Sequence, residues 1–350
     1  MMTASLISAG AIMADATAAP STAPSTAPSS TATTAAAPNA TAAIPVSVSV
    51  NVPAKTNLTL HVGGKRAEWG GRHELDTTYC ALGVYDTITV ATKAPGTGFS
   101  LDLTGAHLGN LASSGSDMRR NHAVLALFAL AEACGREPDV SIRIDKRIPV
   151  AAGLAGGSAD AAGTLLAVNT LWGLNWPVSR LARIAASLGA DMPFCLTGGY
   201  AHGTGFGERI ESLEPGCERE RALRAAGWHG RALIGAYSAE LSTPKVYARF
   251  DEIGAGDGDD NHLQRAAVDL HPRSGEAIAV ARMAGASHAF VSGSGPSVVA
   301  FAPNAAVARR IAQDWSARRA VDRIIMTDAP AYPSIHVMQH TDVASAAAVV

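Results

Sequence analysis

Charge is scarce in this chain. Asp, Glu, Lys and Arg make up 17% of its 350 residues, below the ~25% usual for soluble domains, which argues against a mainly disordered chain or a coiled coil. Basic residues show no excess, and the formal net charge is −2. A strongly basic nucleic-acid binder is therefore excluded, as is a surface that docks on anionic lipid. Cysteine is scarce too. Cys80, Cys134, Cys195 and Cys217 lie far apart with no C-x-x-C pair. That excludes a disulfide framework or a zinc knuckle and points to a reducing cytoplasm. No apolar run reaches the ~18 residues of a membrane span, and no internal repeat is visible.

The first 45 residues are nearly all Ala, Ser, Thr and Pro, with Asp15 their one charge; the first Lys or Arg is Lys55. A secretory signal needs a positive n-region and a transit peptide needs arginines, so neither pattern fits. Thr17–Ala43 has too few large apolar groups to offset its chain entropy. Residues 1–45 read as a disordered extension, with a start codon placed too far upstream as the second reading. The rest is apolar enough for a substantial core, at 47% hydrophobic overall, and long enough for about two domains of roughly 100–200 residues each.

From Val46 the texture changes. Val46, Val48, Val50 and Val52 alternate with polar residues as a half-buried strand does, and Pro53 is expected to stop it. Leu58, Leu60 and Val62 start a second strand, and Asp86–Lys93 reads as a third. Asn121–Cys134 predicts a helix, and Val140, Ile142 and Ile144 a strand that runs into a glycine-rich turn, Gly153–Gly157. Ser158–Leu174 then reads as a helix, as does Val178–Gly189 with Gly189 as its C′ residue. Ala201–Arg231 reads as a crossing between domains. Ala232–Ser238 is a strand, and Asp251–Asp260 a solvated acidic loop. A helix (Gly275–Ala284), a strand–turn–strand around Gly293–Pro296, a helix (Ala305–Arg318) and a strand (Val321–Met326) complete the second half. That order suits a ferredoxin-like α+β unit.

The strongest chemical signal is Pro149–Ala159, PVAAGLAGGSA, between a strand and a helix. Glycines let backbone N–H groups crowd around an anion, and the following helix aims its free N–H groups at the same place. A tight turn without a ligand is the alternative. Other nucleotide motifs are absent. Gly64-Lys65 is followed by Arg66, so there is no G-x-x-x-x-G-K-[ST]; H-R-D and D-F-G are missing; the turn lacks G-x-G-x-x-G spacing. Around Ser158 the G-x-S-x-G elbow fails at Asp160.

PVAAGLAGGSADAAGTL resembles the central motif of the GHMP kinases. Val52–Leu60, VPAKTNLTL, resembles their first motif and Val291–Ala300, VSGSGPSVVA, their third. Within that superfamily PAKTNL, His73-Glu74-Leu75, IDKRIP (Ile144–Pro149) and LGADMPF (Leu188–Phe194) are similar to the 4-diphosphocytidyl-2-C-methyl-D-erythritol kinase family. The resemblance implies an α+β, two-domain GHMP kinase fold: a domain like ribosomal protein S5 domain 2 over residues 46–205 and a ferredoxin-like domain over 206–345. It implies transfer of the ATP γ-phosphate, with Mg²⁺, to the 2-hydroxyl of the cytidylyl methylerythritol in the non-mevalonate isoprenoid pathway. The expected partner is that small molecule, not nucleic acid or membrane, and the enzyme would act in the cytoplasm as a monomer or homodimer.

The same resemblance places the chemistry. Asp191 matches the catalytic aspartate, with an N-cap role as its bland alternative, and Lys55 the active-site lysine. Pro149, Val150, Ala151, Ala152, Gly153, Leu154, Ala155, Gly156, Gly157, Ser158 and Ala159 would hold the ATP phosphates, Ser158 or a nearby carboxylate helping with Mg²⁺. Asn121 and Lys146 would meet the nucleoside end of ATP. Asn57, His73 and Tyr247 match the substrate side, and Gly293 and Gly295 would close the site. One departure concerns cytosine. The family usually reads D-G-Y-H where this chain reads Trp69-Gly70-Gly71-Arg72-His73, so Arg72 holds the place of the stacking tyrosine and Trp69 or Arg72 must replace it. A GHMP kinase for another alcohol, such as homoserine or mevalonate, and a non-catalytic nucleotide- or RNA-binding module are the rival readings. Removal of residues 1–45 is expected to leave melting temperature and turnover nearly unchanged. A large loss of either, in thermal denaturation or a kinase assay, would show that the segment packs on the core.

Overall fold

A computed structural model describes residues 47–105 and 118–338. The expected disordered extension, Val46 and residues 339–345 of the expected second domain lie outside the described residues. Seven strands form the first sheet: β1 (Ser47–Arg66), β2 (Arg72–Thr92), β3 (Ser100–Thr104), β4 (Val140–Asp145), β5 (Tyr200–Thr204), β6 (Arg209–Ser212) and β11 (Ser334–Met338). Their order is β11-β1-β2-β4-β3, with β5 on the near end of β2 and β6 on β5. The helices that accompany this sheet are α1 (His122–Cys134), α2 (Gly156–Leu171), α3 (Val178–Leu188), α4 (Met192–Cys195) and α5 (Glu218–Ala225).

The second sheet comprises β7 (Gly230–Ala236), β8 (His288–Val291), β9 (Val298–Phe301) and β10 (Arg323–Ala329) in the order β10-β7-β9-β8, antiparallel throughout. Helices α6 (Thr243–Ile253), α7 (Gln264–Leu270) and α8 (Pro272–Met283) fall between β7 and β8, and α9 (Ala305–Arg318) between β9 and β10. This is the β-α-β-β-α-β order and the strand arrangement of a ferredoxin-like unit. The α+β expectation, with a ferredoxin-like unit in the second half, therefore holds.

Alternation dictates where β1 goes. Val48, Val50 and Val52 are fully buried and pack with Ile88 and Val90 of β2, Ile142 and Ile144 of β4, and Leu165 of α2. Pro53 does not stop the strand. The register against β2 shifts between Pro53 and Ala54, again between Asn57 and Thr59, and again between Val62 and Lys65. A bulge accommodates a residue that cannot donate to the ladder, so one bent strand runs through where two were expected. Helix α2 is buried over most of its circumference, from Ala159 to Val168, because the sheet, α1, α3 and α4 surround it.

Three further expectations need correction. Helix α2 starts at Gly156, two residues before Ser158, after Ala155 in the left-handed region. Gly189 caps α3 with extended backbone, not as a left-handed C′ residue. Ala201–Arg231 is no simple crossing: it holds most of β5, all of β6, and α5. The expected boundary at 205/206 falls inside the β5–β6 hairpin, both strands of which belong to the first sheet, and β11 returns to that sheet from the far end of the chain. Among the described residues, no helix is long and apolar enough to cross a membrane.

Candidate active site

The motif segments converge on a cleft of about 970 Å³. At its floor stands Lys55, on the stretch of β1 just past the Pro53 bulge and 5% exposed. Its ammonium donates to Asn57 Oδ1 at 2.8 Å and lies 3.4 Å from Asp191 Oδ2. Asn57 is itself held, its Nδ2 donating to Thr77 Oγ1 at 2.8 Å, and Thr77 donates to the Thr59 carbonyl at 2.6 Å. A buried ammonium survives only when paired and hydrogen-bonded, and this chain of contacts meets that need. Asp191 occupies the residue before α4, yet its side chain caps nothing there. Its carboxylate faces Lys55 and remains 31% exposed to the cleft. The bland N-cap reading therefore fails.

The glycine-rich turn supplies the adjoining wall. Pro149, Ala151, Ala152, Gly153, Ala155, Gly156, Gly157 and Ser158 line the cleft. The first turn of α2 opens there, so its unpaired N–H groups and positive dipole end face the cavity. The Lys55 N–H donates to the Leu154 carbonyl at 3.1 Å, which fastens the turn to β1. From the second sheet, Ser292 Oγ hydrogen-bonds Thr56 Oγ1 at 3.0 Å and the Gly153 carbonyl at 3.1 Å. Gly153 has φ +77°, and a Cβ there would lie 2.1 Å from the Ser292 carbonyl oxygen, so only glycine fits. Gly293 and Gly295 reach the cleft on the same β8–β9 turn. Val150, Leu154 and Ala159 do not line it; Leu154 and Ala159 are fully buried and hold the turn from behind.

At the other end lie His73 and Tyr247, whose rings stack with centroids 5.3 Å apart. His73 Nδ1 is 2.8 Å from the Gly63 carbonyl, so that nitrogen carries a proton. Its Nε2 lies 3.1 Å from Asp251 Oδ1 in poor alignment, without a true hydrogen bond. Arg72 lines the cleft with its guanidinium 4.5 Å from the ring centroid of Phe206, which lines it too. Trp69 does not reach the wall; it packs edge-on against Phe206. Phe206 went unnoticed in the sequence, where Gly205-Phe206-Gly207 looks like loop. Tyr79 and His122 also line the cleft and were missed. Burial, with the Lys146 charge assisting, lowers the His122 pKa against a hydrogen bond to Gly157.

Asn121 and Lys146 do not reach the cleft wall. Asn121 caps α1, its Oδ1 accepting from the Ala123 N–H at 2.9 Å. Lys146 is 2% exposed and donates to Asp86 Oδ2 at 2.5 Å and Asp160 Oδ2 at 2.6 Å. Asp86 Oδ1 accepts from the N–H groups of Arg147 and Ile148. Two carboxylates thus share one ammonium beneath the glycine-rich turn. Burial raises the Asp160 carboxyl to about 8, and Asp86 adds to this against the pull of Lys146. The same burial works to lower Lys146, but Asp160 and Asp86 together outweigh it and raise it.

Residues 121–199 match the GHMP kinases N terminal domain and residues 246–320 the GHMP kinases C terminal domain. A homoserine kinase from Cytophaga hutchinsonii shares the fold with a TM-score of 0.65 at 17% identity, covering 85% of this chain and 100% of that one. Fold and site together define a GHMP kinase. A crystal structure of 4-(cytidine 5'-diphospho)-2C-methyl-D-erythritol kinase is similar at 29% identity and a TM-score of 0.61, covering 81% of this chain and 99% of that one. A 4-diphosphocytidyl-2-C-methyl-D-erythritol kinase of Bifidobacterium adolescentis is 69% identical over 291 residues, 83% of this chain and 94% of that protein. The chain belongs to the 4-diphosphocytidyl-2-C-methyl-D-erythritol kinase family of the GHMP kinases.

The buried triad yields a stability test. Lys146→Met leaves the buried Asp86 carboxylate, and the protonated Asp160 beside it, without their shared donor and should cost about 3–5 kcal/mol in urea denaturation. Asp160→Asn keeps the neutral shape. Between the ordinary 3.8 and about 8, native Asp160 keeps a proton that the unfolded chain has released. The parent therefore loses stability as pH rises through that window, and Asp160→Asn should not. Parallel pH dependences in the two proteins would refute this.

Proposed function

We propose that this enzyme transfers the γ-phosphoryl group of ATP to the 2-hydroxyl of 4-diphosphocytidyl-2-C-methyl-D-erythritol, a step of the non-mevalonate route to isoprenoid precursors. The observation that carries the reading is the Lys55–Asp191 pair, with 3.4 Å between ammonium and carboxylate, in the same cleft as the glycine-rich turn. A hydroxyl attacking phosphorus needs placement, charge neutralisation and an acceptor for its proton. Asp191 is that acceptor. Lys55 pairs with that carboxylate and offsets the charge that builds on the transferred group. The turn from Pro149 to Ser158 cradles the phosphates with backbone N–H groups.

Mg²⁺, when bound with ATP, neutralises charge on the β- and γ-phosphates. Among the described residues there is no group of three or more His, Cys, Asp or Glu that could hold a metal ion. The donor set suits an ion that takes most of its ligands from phosphate and water, as Mg²⁺ does, with the Ser158 hydroxyl at the cleft wall. The enzyme acts in the cytoplasm on this soluble small molecule, as a monomer or homodimer, without nucleic acid.

Asp191→Asn and Lys55→Met should each lower kcat at least ~10²-fold while the fold and ATP binding survive. ³¹P NMR of ATP, Mg²⁺ and the cytidylyl substrate checks the reaction itself. Near-normal turnover in Asp191→Asn would remove it from the base role.

The cytosine end provides a second test. Tyr247 and His73 form one side of that end, and Arg72, laid on Phe206, supplies a cationic plane suited to a base. Both ring nitrogens of His73 face the protein, Nδ1 the Gly63 carbonyl and Nε2 Asp251, so His73 offers its ring against Tyr247 and not an edge contact to the base. Tyr247→Ala and Arg72→Ala should each raise KM for the cytidylyl substrate by a stacking loss of about 1–3 kcal/mol, leaving KM for ATP nearly unchanged. Trp69→Ala should act more weakly, since Trp69 touches Phe206 and not the cleft. If Arg72→Ala and Trp69→Ala both leave that KM unmoved, a different alcohol becomes the better substrate.

A further inference from the structure

Tyr79 on β2 is 1% exposed, and its ring stacks on Phe194 of α4 with centroids 4.8 Å apart and planes 18° apart. Two glycines make room for it. A Cβ at Gly203 would lie 2.5 Å from Tyr79 Cε2, and one at Gly207, where φ is +105°, would lie 2.8 Å from the phenolic oxygen. The ring is thus held on both sides, and the hydroxyl has a fixed place. That place is 3.1 Å from Asp191 Oδ1 and 3.2 Å from the Gly207 carbonyl oxygen. A phenol has one proton to give. It cannot satisfy both acceptors at once.

Among the described residues, the charged and titratable groups facing Asp191 are few. Lys55 approaches from β1, Tyr79 from β2, Cys195 from α4 and Tyr247 from α6. Burial pushes the Cys195 thiol and the Tyr247 phenol upward, so both stay neutral. Burial, and after it the Asp191 charge, also raises Tyr79 well above the ordinary 10.0. Its hydroxyl is a neutral donor at any physiological pH. Lys55 and Tyr79 are therefore the two groups that answer the carboxylate's charge, one at each oxygen.

We propose that Tyr79 is a positioning residue for phosphoryl transfer, its proton locking the ionised Asp191 carboxylate before the step and turning to the Gly207 carbonyl after it. This rests on the reading of Asp191 as the base. In the step, the substrate O–H bond breaks and its proton passes to Asp191. The hydroxyl oxygen bonds the γ-phosphorus, and the bond from that phosphorus to the β–γ bridging oxygen breaks with its electron pair going to ADP. A hydrogen bond to an ionised carboxylate is roughly twice as strong as one to a neutral group. Once Asp191 is neutral, the phenol's better acceptor is the Gly207 carbonyl. No backbone movement is needed, because both acceptors already lie within reach.

Tyr79→Phe removes the hydroxyl and keeps the ring. We expect kcat to fall about tenfold, with KM for both substrates within twofold and melting temperature within a few degrees. The acid limb of the kcat–pH profile should move up by about one unit, because the ionised form loses a donor. A packing role alone would not move that limb. Site-specific replacement of Tyr79 by 3,5-difluorotyrosine, a stronger donor of nearly the same shape, should move the limb to lower pH. It also keeps the test open if Tyr79→Phe folds poorly. Unchanged limbs in both proteins would overturn the proposal. Asp191→Asn, assayed alongside, separates the two readings: if it is inactive and the limbs are unmoved, the base stands and Tyr79 is only packing. If it turns over normally, the base reading falls and the Tyr79 proposal falls with it.

Discussion

An ammonium group buried in the middle of a strand constrains almost everything around it. Lys55 is 5% exposed, and an unpaired charge at that depth would cost several kcal/mol. Its needs propagate outward. Asn57 must present its oxygen to Lys55 and so points its amide nitrogen at Thr77, which passes the demand on to the Thr59 carbonyl. Asp191 must face inward and is unavailable to cap α4. The bulges of β1 at Pro53/Ala54 and Asn57/Thr59 bracket this run of residues, so the strand bends where the lysine and asparagine must share one face. A regular strand would also put residues i and i+2 on one face; the bulges set the angle at which that face meets the cleft.

The second constraint is the seam between the two sheets. Ser292 touches Thr56 and the Gly153 carbonyl, while Asn261 is buried and donates to the Val291 and Gly293 carbonyls. Around it, the Leu60 N–H donates to Asp260 and the His262 N–H to the Leu60 carbonyl. The β8–β9 turn is thus tied to β1 on one side and to the glycine-rich turn on the other. This explains why three motifs far apart in sequence form one site. Each is a glycine-containing or bulged segment whose backbone is used as a hydrogen-bonding surface, and such surfaces need close approach.

Local chemistry was legible in the sequence wherever a segment carried its own signal. Helix α9 runs from Ala305 to Arg318 as expected, and the strand at Val140 runs directly into the glycine-rich turn. What was hidden depended on partners distant in the chain. Lys146 reads as a free cation until Asp86, 60 residues earlier, and Asp160, 14 later, take it up. Pro53 reads as a strand end because a bulge is a property of the pair, not of one strand. Tyr79 and Phe206 carry no signal of their own, because they meet Asp191 and Arg72 only when the β5–β6 hairpin folds back against β2. Helix α7 is only seven residues long and is held largely by Gln264 and its buried neighbours Ala266 and Ala267.

At the Arg72 end of the cleft, an arginine stands where the resemblance leads one to expect a tyrosine. An aromatic residue at position 72 would offer a face by itself. Arginine is long and flexible, and an unsupported guanidinium would lose substantial side-chain entropy on stacking. Phe206 answers that loss by giving the guanidinium a surface to lie on, 4.5 Å from its centroid, and Trp69 braces Phe206 from its edge. Under the proposed function, a base stacking on this preordered plane would cost less side-chain entropy. Phe206 is itself placed by its N–H, which donates to Glu208 Oε2 at 2.7 Å, beside the Gly207 carbonyl that Tyr79 reaches. The short segment from Gly205 to Glu208 therefore reaches both ends of the cleft: Phe206 supports the Arg72 guanidinium, and the Gly207 carbonyl is the second acceptor for Tyr79 beside Asp191. Under the proposed function, a change in this segment bears on substrate affinity and on proton transfer together, because one stretch of backbone touches the groups assigned to each.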